Sequence, residues 1–232
     1  MSKRLLLPTA ALAAASVWCV ALLEIRSHEF GSQGYPYLAW NLVLAWVPFV
    51  LAVLLVRSYA LRHSVVELVA VGVGWLIFLP NAPYVVTDFI HLGERHRLFD
   101  SLLIASFAFT SLALGFASLL LVQLVVTRAA GALLGWVVAF GSLFAASVGI
   151  YLGRVLRFNS WDVIGRPGQL WDLGTARLAD PFGNRYLIVF VLGLCGFLTL
   201  TYLGVYGFTT LAAAAGRREP PVLGSERTWP SP

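Results

Sequence analysis

Long apolar runs separated by short polar segments predict six membrane-spanning helices. Apart from the third, each run has close to the roughly 20 residues that an α-helix needs to cross the hydrocarbon core. The runs cover residues 5–23, 37–56, 65–80, 102–126, 132–152 and 186–209. The pattern therefore predicts an all-α fold, a polytopic transmembrane helix bundle formed by residues 1–215 as a single domain. A tail at 216–232 comes after it, and its Pro, Gly and Ser content is typical of disorder.

The third apolar run is broken by Pro80 and Pro83, and polar residues come after it. A helix continued from residue 65 to residue 92 would have 28 residues, or roughly 42 Å, which exceeds the ~30 Å hydrocarbon core. Because proline biases its predecessor away from helical geometry, we expect extended backbone at Leu79 and Ala82. Two interpretations stay open. One is a broken helix that presents polar groups to a ligand, and the other is a proline cap where the helix leaves the bilayer.

The first apolar run comes after Lys3 and Arg4 and also has two interpretations. The sequence Ala13-Ala14-Ala15 is compatible with the cleavage site of a signal peptide. Apolarity continues beyond it through Val20, to a length typical of a span. We predict a retained helix.

Composition supports a membrane protein and excludes other classes. The chain is 59% hydrophobic and 12% charged, whereas soluble domains carry roughly 25% charged residues. The net charge of +5 comes from basic residues beside the apolar runs and not from a Lys/Arg cluster. We therefore predict membrane lipid as a partner and no nucleic acid.

An even number of spans places both termini on the same side of the membrane. The terminal side carries Lys3, Arg4, Arg57, Arg62, Arg128, Arg217, Arg218 and Arg227, and the opposite short loops carry Arg26, Arg95 and Arg97. The positive-inside rule then predicts cytoplasmic termini. The loop at 153–185 conflicts with this orientation, because it holds five arginines on the outer side.

Three polar segments converge on the predicted outer face. They lie near the start of the second run, at the proline break, and where the fifth run ends. If an α-helix resumed after the break, Tyr84, Asp88 and His91 would share one of its faces. The candidate site residues are Asn41, Asn81, Tyr84, Asp88, His91, Arg154, Arg157, Asn159, Trp161 and Asp162.

Arg154 and Arg157 are three residues apart, so a helix would place both on one face. A guanidinium binds carboxylates and phosphates through paired hydrogen bonds, which makes an anionic headgroup or a phosphate a candidate ligand at these two residues. In the alternative interpretation, the arginines reach headgroup depth and pair with Asp88 or Asp162 in a structural role.

The sequence contains no recognisable metal, cofactor or nucleophile motif. Asp88, His91 and Glu94 recur every three residues, but no HExxH or CxxC spacing accompanies them. Ser160 has no Gly-x-Ser-x-Gly elbow around it. We predict no metal site and no cofactor.

Three motifs, in order along the chain, carry a family resemblance. They are Ala39-Trp40-Asn41-Leu42 with Leu44-Ala45-Trp46-Val47-Pro48, Phe78-Leu79-Pro80-Asn81-Ala82-Pro83-Tyr84 with Thr87-Asp88 and His91-Leu92, and Tyr151-Leu152-Gly153-Arg154 with Arg157-Phe158-Asn159-Ser160-Trp161-Asp162. This combination resembles a bacterial family of uncharacterised membrane proteins that is catalogued as domain of unknown function 1361. The resemblance covers about residues 38–211. It implies a bacterial cytoplasmic-membrane protein and no particular activity.

These observations support three hypotheses for function. The absence of a catalytic set favours a non-catalytic membrane component or assembly factor with a polar site at the outer face. The alternatives are an enzyme acting on an envelope lipid or isoprenoid phosphate, and a small-solute transporter. The depth of Arg154 and Asp88 distinguishes the last two, because a transporter site lies near the bilayer midplane and an envelope enzyme's site near the headgroups. The sequence does not predict the oligomeric state.

Overall fold

The computed structural model of the protein describes residues 3–30, 35–93, 96–155 and 185–215, with isolated positions between 157 and 183. Within these residues the chain is helical and contains no strand. Six helical segments are long and apolar enough to cross a membrane. The protein is therefore a multi-pass, all-α membrane protein, which confirms the predicted fold class. The predicted tail at 216–232 lies outside the described residues.

Seven α-helices and one 3₁₀ helix form the six spans. They are α1 (Lys3–Phe30), α2 (Pro36–Ala60), α3 (Val65–Phe78), α4 (Asn81–Tyr84), the 3₁₀ helix (Val85–His91), α5 (Arg97–Ala130), α6 (Ala132–Val155) and α7 (Arg185–Ala215). The third span comprises α3, α4 and the 3₁₀ helix. Several helices extend past their apolar runs: α1 ends at Phe30 and not at residue 23, and α5 begins at Arg97 and not at residue 102.

The central helix of the bundle is α5. It packs against α1, α2, α6 and the third span, and it is the most buried of the six spans. Two of its buried polar side chains accept hydrogen bonds from neighbouring helices. Ser118 accepts a hydrogen bond from the Trp75 indole at 3.1 Å, and Gln123 accepts one from the Tyr202 hydroxyl. Such pairs satisfy polar groups where lipid offers no partner.

The third span remains helical through the prolines. Leu79 has φ −52° and ψ −41°, and Ala82 lies inside α4, so the expectation of extended backbone at these two residues is wrong. The reason is that tighter local hydrogen bonds replace those that proline removes. The Ala82 N–H donates to the Leu79 carbonyl at 3.1 Å, and the Asn81 side-chain amide donates to the Phe78 carbonyl at 3.0 Å. The span therefore changes helix type without unwinding.

Two glycines allow neighbouring helices to approach the proline break closely. A Cβ atom added to Gly149 of α6 would lie 2.8 Å from Cγ of Pro80. A Cβ atom added to Gly115 of α5 would lie 2.9 Å from Cβ of Ala82. Both distances are shorter than van der Waals contact. Because these two positions carry no side chain, α5 and α6 pack directly against the proline break.

Because successive spans alternate in direction, one end of the bundle collects the C-terminal ends of α1, the 3₁₀ helix and α6. The N-terminal ends of α2, α5 and α7 lie at the same end. We call this the polar end, because two buried ion pairs, Arg154–Asp88 and Arg26–Asp100, lie there. The opposite end holds the turns between α2 and α3 and between α5 and α6.

Candidate functional site

Arg154, the penultimate residue of α6, is the centre of a polar cluster. Its Nε and Nη2 groups donate to Oγ1 of Thr87 at 2.9 and 2.6 Å, and Nη2 also donates to Oδ1 of Asp88 at 2.5 Å. Its Cζ atom lies 4.1 Å from the centroid of the Tyr84 ring, which adds a cation–π contact. A single side chain from α6 thus holds three residues that lie just beyond the proline break.

Asp88 is fully buried, with its side chain 1% exposed. While Oδ1 accepts from Arg154, Oδ2 accepts from the Asn41 amide of α2 at 3.2 Å. A buried carboxylate is costly unless it is paired and hydrogen-bonded, and here each oxygen has a donor from a different helix. The carboxylate therefore joins α2, the third span and α6.

His91 ends the 3₁₀ helix, and its Nε2 atom lies 3.2 Å from Nη1 of Arg154. A guanidinium has donors and no acceptor, so Nε2 accepts this hydrogen bond. This hydrogen bond therefore requires a neutral His91 that carries its proton on Nδ1. The ring of Tyr37 meets the imidazole edge-on, with centroids 5.5 Å apart.

A second buried ion pair lies beside the first. Nε of Arg26 donates to Oδ1 of Asp100 at 2.5 Å, joining α1 to α5. The Tyr35 hydroxyl lies 3.2 Å from Oδ2 of Asp100 and 3.3 Å from the His91 carbonyl oxygen, and it is the donor in both contacts. Burial raises the pKa of Tyr35 above its ordinary value, so the hydroxyl keeps the proton that it donates. Tyr35 therefore links the two ion pairs.

The cluster lies at the end of the bundle and not at its middle. Arg154 is 22 residues from Ala132, the first residue of α6, which corresponds to about 33 Å along a helix. That length matches the full ~30 Å thickness of the hydrocarbon core. The Arg154–Asp88 pair thus lies at one end of the span and not at its middle, where a transporter site is expected.

Several predicted site residues do converge. Asn41, Tyr84, Asp88 and His91 all lie around Arg154, and the Arg154–Asp88 pairing considered from the sequence is present. Asp88 and His91 lie on a 3₁₀ helix and not on the α-helix assumed in the sequence-based argument, and Tyr84 ends the short α4 just before it. The shorter repeat of the 3₁₀ helix aligns residues three apart, so Asp88 and His91 lie on one side of it.

Other predicted site residues do not join the cluster. Asn81 donates to the Phe78 carbonyl at the proline break. Arg157 is exposed and has φ +59°, because α6 has already ended at Val155. The predicted shared face of Arg154 and Arg157 is therefore wrong: helical spacing no longer applies beyond Val155. Asn159, Trp161 and Asp162 lie outside the described residues.

The chain matches the model of a known protein family. A family model described as "Protein of unknown function (DUF1361)" matches residues 40–201, more than half of the sequence. The protein belongs to the DUF1361 family. Neither the curated proteins nor the solved structures contain a match to it. The match to the family model confirms the family resemblance found in the sequence. Together with the six apolar helices, it identifies an integral membrane protein of unknown function.

The region matched to DUF1361 contains every residue bonded to Arg154, whereas Arg26 and Tyr35 precede it.

Sequence reasoning missed the functional groups of Thr87, Arg26 and Asp100. Helical periodicity carried a signal for the second pair, because Arg26 comes after the buried residues Cys19 and Leu22 at helical spacing. Asp100 likewise precedes a buried helical face, formed by Leu103, Ile104 and Phe107.

Proposed function

We propose that this DUF1361 protein is a non-catalytic component of the bacterial cytoplasmic membrane, acting as an assembly factor or partner subunit. The observation that carries the proposal is the complete burial of Asp88, with both oxygens bonded by donors of the protein itself. The donors of Arg154 are likewise engaged by Thr87, Asp88 and His91. The groups that would clamp an anion or move a proton instead hold helices together.

The described residues do not favour either of the two alternative functions. An enzyme acting on an envelope lipid or isoprenoid phosphate needs an acid, a base or a cation that faces substrate. A small-solute transporter needs its site near the midplane, whereas Arg154 lies at the end of α6. For contact with an anionic lipid headgroup we propose Arg157, which is exposed beyond the end of α6.

We infer that both termini lie in the cytoplasm and that the polar end faces outward. The excess of basic residues at the opposite end supports this orientation. Two arginines that count against it, Arg26 and Arg154, are buried in ion pairs with Asp100 and Asp88.

Side-specific thiol labelling tests the orientation. Gly93→Cys at the polar end and Ala130→Cys at the opposite end each replace an exposed residue, in a Cys19→Ala/Cys195→Ala background. In intact spheroplasts, a membrane-impermeant maleimide is expected to label Gly93→Cys at once and Ala130→Cys only after permeabilisation. The reverse pattern would mean that the polar end faces the cytoplasm, and labelling of both would contradict a fixed orientation.

Complementation by a doubly neutral variant tests the non-catalytic role. In a strain lacking the gene, Asp88→Asn/Arg154→Gln is expected to restore growth under envelope stress to the wild-type level. A structural pair is dispensable when both charges are removed together, whereas a catalytic acid or an anion clamp is not. Immunoblotting of membranes confirms equal protein levels. A double variant that is present at normal levels and fails to complement would overturn the proposal in favour of the enzyme.

A further inference from the structure

We propose that His91 is a pH-sensitive latch: its neutral imidazole holds the end of α6 on the third span, and protonation releases it. The contact that carries this inference is the hydrogen bond between Nη1 of Arg154 and Nε2 of His91, at 3.2 Å. His91 is exposed at the polar end, so protons from the aqueous phase reach it. The proposal concerns regulation of the Arg154 cluster, and it rests on the proposed orientation only for which side of the membrane supplies the protons.

The chemistry of the two side chains makes the contact depend on pH. Arg154 offers only N–H donors, and a protonated imidazole also offers only donors, so the hydrogen bond exists with neutral His91 alone. Histidine is the side chain that ordinarily changes charge between about pH 5 and pH 8. The latch contact is therefore present while the His91 imidazole is neutral and is lost when the imidazole is protonated.

The neighbours of His91 determine the effect of its protonation. Asp88 lies three residues earlier on the 3₁₀ helix, on the same side as His91, and is already paired with Arg154. One buried carboxylate would then face two cations, and the net charge of the three groups would change from zero to +1. Repulsion between the imidazolium and the guanidinium favours separation of α6 from the third span.

In the described part of the chain, the other groups packed around His91 do not neutralise this charge. Tyr37 of α2 meets the ring edge-on, and the Tyr35 hydroxyl bonds the His91 carbonyl. Among the residues that the structure describes, the charges reached through Tyr35 are Asp100 of α5 and Arg26 of α1, which neutralise each other. Protonation of His91 thus acts on its contact with α6, while the ion pair between α1 and α5 remains formed.

The tautomer of His91 is the direct test of the latch. In the full-length chain labelled with ¹⁵N-histidine and held in detergent micelles, long-range ¹H–¹⁵N spectra at pH 8 are expected to show His91 with its proton on Nδ1. The signals are assigned by their loss in His91→Gln. A His91 with its proton on Nε2 at pH 8 would overturn the proposal, because that nitrogen could not accept from Arg154.

Thermal unfolding at pH 8 and pH 5.5 tests how loss of the contact between His91 and Arg154 affects the stability of the protein. In His91→Gln the new side-chain amide oxygen can accept from Arg154 at both values, so wild type is expected to lose about 3 °C more in Tm on acidification than this variant. His91→Lys carries a permanent cation and is expected to have a low Tm at both values. His96→Gln removes another exposed histidine of the polar end and is expected to keep the wild-type loss. Equal losses in wild type and His91→Gln would overturn the latch, and since the purified chain is measured, that result is independent of complementation.

Discussion

Replacing Arg154 by glutamine is expected to lower the free energy of unfolding by about 3–5 kcal/mol, while adding Asp88→Asn restores most of that loss. The single change leaves the Asp88 carboxylate charged and unpaired with its side chain only 1% exposed. Removing both charges eliminates the uncompensated buried charge. Thermal or denaturant unfolding of the purified chain in micelles measures both single variants and the double variant.

Arg157→Gln is the matched control for this cycle. Arg157 is an arginine of the same chain segment, three residues later, and it is exposed. Its replacement is expected to change the free energy of unfolding by no more than about 0.5 kcal/mol, as for ordinary surface substitutions. If Arg154→Gln is as mild as Arg157→Gln, or if the double variant is less stable than both singles, the pair does not brace the bundle.

Hydropathy predicted the number of spans because the bilayer imposes a minimum apolar length on each helix. The convergence of Asn41, Asp88 and Arg154 was also predictable, since successive spans alternate in direction and this places the three polar segments at one end. Neither argument depends on side-chain geometry. Both depend on lipid excluding unpaired polar groups, a constraint that acts directly on sequence.

Three features lay beyond the sequence for identifiable physical reasons. Hydropathy reports where lipid contact ends, not where the backbone stops being helical, so α1 continues past residue 23 and brings Arg26 to Asp100. Near Arg157 the deviation is in the opposite direction, because the helix is shorter than expected. Since α6 ends at Val155, the helical spacing expected between Arg154 and Arg157 does not apply. At and after the break, the 3₁₀ helix packs against α5 and Pro80 packs against Gly149 of α6, and local proline rules include neither contact.

That packing makes Gly149→Ala the second large expected effect. The new Cβ atom would lie 2.8 Å from Cγ and 3.1 Å from Cβ of Pro80, whose rigid ring must shift to accept it. We expect a loss of about 1–3 kcal/mol in the free energy of unfolding, as for overpacking in a core. Gly141→Ala is the matched control on the same helix, because a Cβ atom there has nothing within 4 Å. It is expected to stabilise by about 0.5–1 kcal/mol, because alanine favours helix over glycine.

The opposite signs of these two changes separate close packing from helix propensity, since propensity favours alanine at both positions. A shift of Pro80 also moves the segment that carries Thr87 and Asp88 relative to Arg154. Gly149→Ala and Arg154→Gln are therefore expected to couple, with a combined loss smaller than the sum of the two. Equal effects of Gly149→Ala and Gly141→Ala would contradict the close packing of Gly149 against Pro80. Strict additivity with Arg154→Gln would mean that the break and the ion pair stabilise the bundle independently, with the position of Asp88 set by the 3₁₀ helix alone.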